Sequence, residues 1–381
     1  MSAKRILLVS HYYPPHVGGI EIVAYNEATR LAQAGNQVTV VTSKVHGDTP
    51  SGLYEGVTVV RVPAFNGLEA KAIPFPIFSP SLFFRLWREV RKADVVHIHD
   101  VFYISSWSAA FVSWLFHRPT VVTQHVALVS HPGKLTTMIE KLVFLTTGKW
   151  TLRKCGAVIT INGRVKRFLI DLGISERKMV EVSNGVDTEL FHRPTKEEKG
   201  SAQKLFGLPA RAFIVLFIGR FVPKKGFDLM LTASQDNYLT IFAGGETDLS
   251  PTSNQRFLGR VNQLQLAQLY QAADLFVLPS DSEGFPLTAQ EAMASGVPVI
   301  LKYDRGYARY KLTAEEVIFL KHPTVKTLRQ AIVDLQHDLA RRKAMAKQAL
   351  RYVEAHFTWE RHITNLDIVY TEVLERRAVV S

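Results

Sequence analysis

An α/β chain with two parallel-sheet domains is the fold this sequence predicts, on three observations. Short apolar runs of buried-strand type alternate with helical patterns along the chain. The alternation lapses into polar, charged sequence between about residues 185 and 200 and then starts again. The length, 381 residues, suits two domains of ordinary size.

Composition narrows the class. With 47% hydrophobic and 21% charged residues the chain can build packed cores, which excludes a disordered protein. Cys155 is the single cysteine, so no intrachain disulfide forms, as expected in a reducing compartment. No uncharged apolar run reaches the roughly 18 residues of a membrane span, and the apolar part of MSAKRILLVS is too short for a signal peptide. The formal net charge of +12 is uneven. Met1–Gly185 holds 21 Lys and Arg against 12 Asp and Glu, and the remainder 25 against 22. A basic first half points to an anionic partner. No RRM, KH or zinc pattern accompanies the charge, so nucleic acid is not expected.

In the first half, Arg5–Ser10 reads as a strand, and the loop HYYPPHVGG leads into a helix over Ile20–Ala34. Gly35 ends that helix and Gln37–Thr42 is the next strand. This βαβ unit implies a parallel sheet with right-handed crossovers. Gly18-Gly19 stands at the carboxyl end of the first strand, where open α/β sheets bind ligands. Alone the pair also fits an ordinary tight turn, and it is no G-x-G-x-x-G fingerprint. Strands follow at Val57–Arg61, Val95–His99 and Thr120–Gln124. Helices are expected over Ser79–Lys92, within WSAAFVSWLF, and from Leu135 to Cys155. Then come a strand at Ala157–Thr160, a helix from Arg164 and a strand at Val180–Val182. His97, His99 and His125 lie at strand ends, the first two on one side of their strand. The sequence places no carboxylate or cysteine near them, so no metal site is expected.

Asn184-Gly185-Val186-Asp187 is a turn signal before the polar stretch. The second half restarts with a strand at Phe213–Ile218, followed by GRFVPKKGFDLML. Arg220 and Lys225 stand between that strand and a helix beginning at Gly226, a loop suited to a diphosphate or simply to solvent. Leu239–Ala243 is a strand ending in Gly244-Gly245, Phe257–Val261 is short and extended, and Leu266–Ala273 is helical. Strands at Val297–Leu301 and Val317–Leu320 and three helices complete the chain, the last from Trp359.

The second half is organised around Ser280–Pro298. The apolar run Leu275–Leu278 leads into SDSEGFPLTAQEAMASGVP, a strand, a Gly-containing loop and a helix with Pro286 at its first position. Free N–H groups of Phe285, Leu287 and Thr288 favour an anion, while Glu283 and Glu291 accept hydrogen bonds from hydroxyls. A ligand carrying both phosphates and sugars reconciles the two. On spacing alone, a loop carboxylate and a solvated helical Glu are the readier interpretation.

The ordered set is more specific than its parts: Gly18-Gly19, Thr123-x-His125, Asn184-Gly185-Val186-Asp187, G-R-x4-K-G from Gly219, and E-G-F-P-L-x3-E from Glu283. Over nearly the whole chain it resembles glycosyltransferase family 4, group 1. That family includes bacterial phosphatidylinositol mannosyltransferases and polysaccharide- and lipopolysaccharide-assembly enzymes. The resemblance implies the GT-B fold, two Rossmann-like domains facing across a cleft. Residues 1–190 would form the acceptor domain and 191–358 the nucleotide-sugar donor domain, with a helix over 359–381 returning to the first. It implies a retaining, metal-independent hexosyltransferase. Arg220 and Lys225 would hold the donor diphosphate. Glu283 would hold the transferred sugar, together with the backbone of Gly284, Phe285, Pro286 and Leu287, and Glu291 would bind the ribose. Gly18 and Gly19 would admit the diphosphate, and His125 would stand at the sugar's reacting face. Gly259, Arg260 and Val261 would border the base, and Asn184 and Gly219 would complete the site. The co-substrate would be a GDP- or UDP-linked sugar and no cofactor is implied. The absence of any Asp-x-Asp pair agrees with that.

Two features depart from the pattern. Where the family commonly has Gly-Gly-x2-Glu, this chain reads Asp304-Arg305-Gly306-Tyr307-Ala308-Arg309, and the segment between Gly226 and Gly259 has room for little more than one trimmed helix. The base and sugar therefore stay open. So do a non-catalytic nucleotide-sugar-binding scaffold and a sugar-nucleotide epimerase on the same fold. On a helical wheel of Ser79–Lys92, Leu82, Phe83, Leu86, Trp87 and Val90 share a face. Arg85, Arg88, Arg91 and Lys92 lie opposite, with Phe84 at the edge. Lys134, Lys141, Lys149, Arg153 and Lys154 add charge further on. With the resemblance, this points to a cytoplasmic protein docked on the inner face of the cell membrane, with a lipid-linked or glycan acceptor.

Overall fold

A computed structural model describes residues 3–16, 18–45, 50–67, 75–127, 134–281 and 285–378, with backbone alone at 134–136 and 378. The chain divides into two compact units, residues 1–184 with 359–381, and residues 185–358.

The first unit begins with β1 (Arg5–Val9), α1 (Gly19–Gln33), β2 (Gln37–Lys44), β3 (Gly52–Tyr54), β4 (Val57–Phe65) and β5 (Ile77–Phe78). It continues with α2 (Ser81–Lys92), β6 (Val95–His99), α3 (Ile104–Leu115), β7 (Thr120–Gln124) and α4 (Lys134–Val143). A π-helical turn over Phe144–Gly148 joins α4 to α5 (Lys149–Lys154), so the long helix expected over Leu135–Cys155 forms with one interruption. Then come β8 (Ala157–Thr160), α6 (Gly163–Asp171) and β9 (Met179–Glu181). The sheet order is β3-β4-β2-β1-β6-β7-β8-β9. Strands β3 and β5 pair antiparallel with β4, and all other pairs are parallel. Neither short antiparallel strand is legible in the sequence. Central strands β6, β7 and β8 are buried along their whole length, as covered parallel strands must be, so even His97, His99, Thr123 and Gln124 are buried. Leu82, Leu86, Val90, Ala109, Val112, Leu152 and Leu169 pack helices α2, α3, α5 and α6 in one core. Ala24, Ala28 and Leu31 of α1 form the other with the last helix.

The second unit contains α7 (Lys196–Leu205), β10 (Ile214–Ile218), α8 (Phe227–Ala233), β11 (Leu239–Ala243), β12 (Gln255–Phe257) and α9 (Gln263–Ala272). These are followed by β13 (Leu275–Leu278), α10 (Leu287–Ala294), β14 (Val299–Lys302), β15 (Val317–Leu320), α11 (Val325–His337) and α12 (Leu339–His356). Its six-stranded sheet, β12-β11-β10-β13-β14-β15, is parallel throughout. Reciprocal Thr195/Glu198 and Asn262/Gln265 capping boxes set the starts of α7 and α9. The extended segment expected over Phe257–Val261 is displaced. The strand is Gln255–Phe257, and Gly259 turns the chain at φ +66°. Helix α8 has seven residues, the trimmed helix that the short segment allows. Val186 bridges Thr358, so the chain enters and leaves this unit at neighbouring points. Helix α13 (Trp359–Ala378) then belongs to the first unit, where Leu366, Val369, Tyr370 and Val373 join the α1 side of its core.

Candidate active site

In each unit the strand order reverses beside its first strand, between β10 and β13 and between β1 and β6. Open α/β sheets bind ligands outside the carboxyl ends of the strands at such a point.

In the second unit four loops meet there. Gly226, at φ +75°, packs so closely that a Cβ would lie 2.5 Å from the Pro279 carbonyl oxygen. Ser280 Oγ donates to the Lys224 carbonyl at 3.1 Å, and the Asp281 amide donates to the same oxygen at 2.8 Å. The Arg220–Lys225 loop is thus fastened to the chain leading into residues 282–284. Gly219 N–H donates to the Ala243 carbonyl at 2.9 Å, and Gly244 N–H to the Gly259 carbonyl at 2.8 Å. Gly244 lies at φ +95°, a conformation that favours glycine, and a Cβ there would crowd Gly219 N at 3.2 Å. Arg220 is exposed and Lys225 half-buried. Arg260 is exposed, with Nε 3.5 Å from Glu246, and Val261 is half-buried beside it. So Gly219, Arg220, Lys225, Gly259, Arg260 and Val261 come together.

Glu283 and Gly284 lie outside the described residues. Their neighbours are firmly placed. Phe285 is buried, stacked on Phe357 at 5.4 Å and packed against Tyr307 and Tyr310. Those tyrosines belong to the 3₁₀ turn Arg305–Tyr310, which Asp304 opens by accepting from Gly306 N. The segment that lacks Gly-Gly-x2-Glu therefore packs against Phe285. Pro286 is not the first helical residue. It is the N-cap, at ψ 140°, and α10 starts at Leu287, because the Pro286 carbonyl already accepts from Gln290 N.

Glu291 is not a solvated helical side chain. It is buried, and Tyr270 Oη stands 3.0 Å from its Oε2 and 2.8 Å from the Thr288 carbonyl. Burial raises its carboxyl to about 7, against the hydrogen bond with Tyr270. Tyr270 has one hydroxyl proton. If that proton goes to Thr288, a protonated Glu291 donates back to Tyr270 and both bonds are complete.

In the first unit, Gly18 is the N-cap of α1 and Gly19 its first residue. A Cβ on Gly18 would fall 2.2 Å from the Glu21 carboxylate, whereas one on Gly19 would meet nothing within 4 Å. Glu21 stands 3.0 Å from His16 Nδ1. His11, after β1, stacks on Tyr103, after β6, with centroids 3.5 Å apart. Asp100 is buried at φ +64°, and burial lifts its carboxyl to about 6. His125 follows β7, 7% exposed, with Nε2 3.1 Å from His99 Nδ1. Burial holds its imidazole well below the usual range and so neutral. Asn184, the last residue before the chain enters the second unit, has a buried Oδ1 with no hydrogen-bond partner among the described residues.

One expectation is corrected. The sequence offers His97 and His99 no carboxylate, but the fold brings Glu27 from α1. The three ligand atoms lie within 4.8 Å of one another. Burial opposes the Glu27 charge, but His99, His97 and the hydrogen bond from His362 outweigh it and hold the carboxyl well below its usual range. His97 has both nitrogens engaged, at 2.7 Å from Tyr370 Oη and 2.7 Å from Thr123 Oγ1. A signal for Glu27 was present, since it sits in the stripe of Val23, Ala24, Ala28 and Leu31 where α1 should be apolar. His362 occupies the same kind of position on α13, and Tyr270 was a third residue without a legible role.

The geometry therefore defines two parallel-sheet units, each with a loop-built site at its strand reversal. Solved glycosyltransferases of the GT-B fold share this architecture. HepE from Anabaena, solved in complex with UDP and glucose, superposes with a TM-score of 0.76 over 97% of this chain and 99% of its own, at 17% identity. Sequence comparison then carries the assignment further. Residues 17–190 match the model of glycosyltransferase family 4, and residues 201–352 that of glycosyl transferases group 1. The lipopolysaccharide core biosynthesis mannosyltransferase LpcC of Rhizobium leguminosarum bv. viciae is 31% identical over 269 residues, 63% of this chain and 73% of that one. A D-inositol 3-phosphate glycosyltransferase of Geodermatophilus obscurus is 27% identical over 400 residues, 96% of this chain and 87% of that one. The chain belongs to this glycosyltransferase family.

Proposed function

We propose that the protein is a retaining glycosyltransferase that moves a hexosyl group, of mannose or glucose type, from a GDP- or UDP-linked donor to a lipid-linked glycan or glycolipid. The observation that carries this is the second unit's site. A loop bearing Arg220 and Lys225 is fastened at Lys224 and Gly226 to the chain entering the Glu283 loop, beside Gly244, Gly259 and α10. As the glycosidic bond to the donor breaks, negative charge grows on the β-phosphate. Arg220 and Lys225 stabilise it by charge-assisted hydrogen bonds, so the chain's own cations can serve where other enzymes use a metal. Glu283 accepts from sugar hydroxyls, Glu291 from the ribose, and His125 contacts the transferred sugar. The mannosyltransferase among the relatives and the UDP and glucose bound to HepE support a hexosyl nucleotide donor.

The surface of the first unit supports an anionic membrane as the place of work. Helix α2 buries Leu82, Leu86 and Val90 but leaves Phe83, Phe84 and Trp87 exposed beside Arg85, Arg88, Arg91 and Lys92. The wheel had placed Phe83 and Trp87 on the buried face. Their 38% and 36% exposure instead makes an aromatic edge next to a basic one. Phe111 and Trp114 of α3, and Met138, Ile139 and Leu142 of α4, add exposed apolar surface, with Lys141, Arg153 and Lys154 exposed nearby in sequence. Among the described residues no helix is long and apolar enough to cross a membrane, so binding would be peripheral.

The test is a panel of nucleotide sugars offered with lipid-linked and free acceptors, in chelator, with product configuration read by NMR. Transfer with the donor's anomeric configuration kept is expected. An inverted product, or none from any donor, would overturn the reading.

A further inference from the structure

The buried cluster around Glu27 is larger than a triad. Glu27 Oε1 lies 2.9 Å from His362 Nε2, and Oε2 lies 3.3 Å from His99 Nε2 and 3.5 Å from His97 Nδ1. His99 Nδ1 in turn meets His125 Nε2 at 3.1 Å, with the two rings only 17° from parallel. Glu27, His97 and His99 are fully buried, and Glu27 Oε2 and His99 Nε2 face each other without reaching hydrogen-bond geometry, so charge rather than a hydrogen bond couples them.

The assignments follow from the acceptors. His362 has the Ser183 carbonyl 2.7 Å from Nδ1 and the Glu27 carboxylate at Nε2, so both nitrogens face acceptors and both carry protons. One carboxylate is then balanced by one imidazolium. A second cation on His99 would be buried without a counter-charge, which is costly. His99 therefore has one proton, and the negative charge of Glu27 Oε2, 3.3 Å from Nε2, favours that proton on Nε2 over a lone pair facing the carboxylate. Nδ1 of His99 is left as an acceptor and His125 Nε2 must donate to it. The same three atoms resemble a metal triad, but His97 already uses both nitrogens on Tyr370 and Thr123.

We propose that Glu27, acting through His99, is a positioning residue that fixes His125 as its Nε2–H tautomer, so that Nδ1 meets the substrate as a hydrogen-bond acceptor or base and never as a donor. A carboxylate behind a histidine orients catalytic imidazoles in this way in other active sites. Here the relay has two rings, and its far end is held by α13, the helix that follows the chain's return from the second unit. The proposal rests on the reading of His125 as a residue facing the sugar, but its direct test does not.

That test is long-range ¹H–¹⁵N NMR of the full-length protein labelled at histidine, with His125 assigned by comparison with His125→Gln. Wild type should show a protonated Nε2 and a pyridine-type Nδ1 at His125. The opposite tautomer would overturn the proposal, and so would one equivalent of bound metal that is lost in Glu27→Gln. In Glu27→Gln, checked for folding by circular dichroism, the tautomer should become mixed. Turnover should then fall by up to about a hundredfold, the scale of general acid–base contributions. Nucleoside diphosphate affinity should not change. A wild-type tautomer in that variant would sink the role of Glu27. Full turnover in His125→Gln would instead remove only the reading of His125, leaving the tautomer result to stand.

Discussion

Replacing Glu291 by Gln should make the second unit more stable at neutral and alkaline pH, an unusual direction for a ligand-binding carboxylate. Burial raises the folded-state carboxyl from 4.5 to about 7. A group whose folded value lies above its unfolded one binds its proton more tightly when folded. Its stabilisation is complete below about pH 4.5 and is lost as pH rises through about 7. About 2.5 pH units at roughly 1.4 kcal/mol each gives about 3 kcal/mol. Glutamine keeps the shape, and its amide can donate to Tyr270 Oη while Tyr270 donates to the Thr288 carbonyl, so both bonds survive. Wild type and Glu291→Gln should therefore match near pH 4.5, and the variant should lead by about 3 kcal/mol above pH 7.5. Urea unfolding followed by far-UV circular dichroism across this range measures it. All five tryptophans lie in the first unit, so fluorescence tracks that unit and isolates the second by difference. Parallel wild-type and variant curves between pH 5 and 8 would refute the reasoning. The same variant should lose nucleotide affinity, if the ribose hydroxyls need an ionised acceptor.

Three further outcomes are expected. Glu283→Gln should lower turnover about a hundredfold or more with the fold intact, as for other groups aimed at developing charge, and turnover near wild type would end its assignment. Arg220→Ala or Lys225→Ala each removes a charge-assisted hydrogen bond of about 1.5–3 kcal/mol, so calorimetry should find nucleoside diphosphate binding about 10- to 150-fold weaker, with chelator leaving activity intact. Co-sedimentation with anionic vesicles should exceed that with neutral ones, weaken in high salt, and fall in Phe84→Ser; equal binding to both lipids, or none to either, would favour a soluble acceptor.

What the sequence determined by itself was local or periodic. Strands such as Val95–His99, Thr120–Gln124, Ala157–Thr160, Leu239–Ala243 and Leu275–Leu278 have the boundaries that their apolar runs announce. They do so because a parallel strand covered on both faces draws most of its residues from the apolar set, and the run stops where the cover does. Gly226 was legible as a helix start and Gly244 as a strand end, whereas Gly259, expected in an extended segment, turns the chain; the ordered motifs named the family. Tertiary structure decided everything that depends on which segments meet. The antiparallel strands Gly52–Tyr54 and Ile77–Phe78 are too short to carry a period. Phe83 and Trp87 belong to the apolar face of a wheel, yet the width of the neighbouring packing leaves them at its rim. Above all, Glu27 meets His99 and His362 across separations of 72 and 335 residues. Sequence spacing does not record such distances. The only trace a buried network leaves in the sequence is a charged or polar residue standing in a stripe that should be apolar, and what it pairs with is settled when helices α1 and α13 pack on the same sheet.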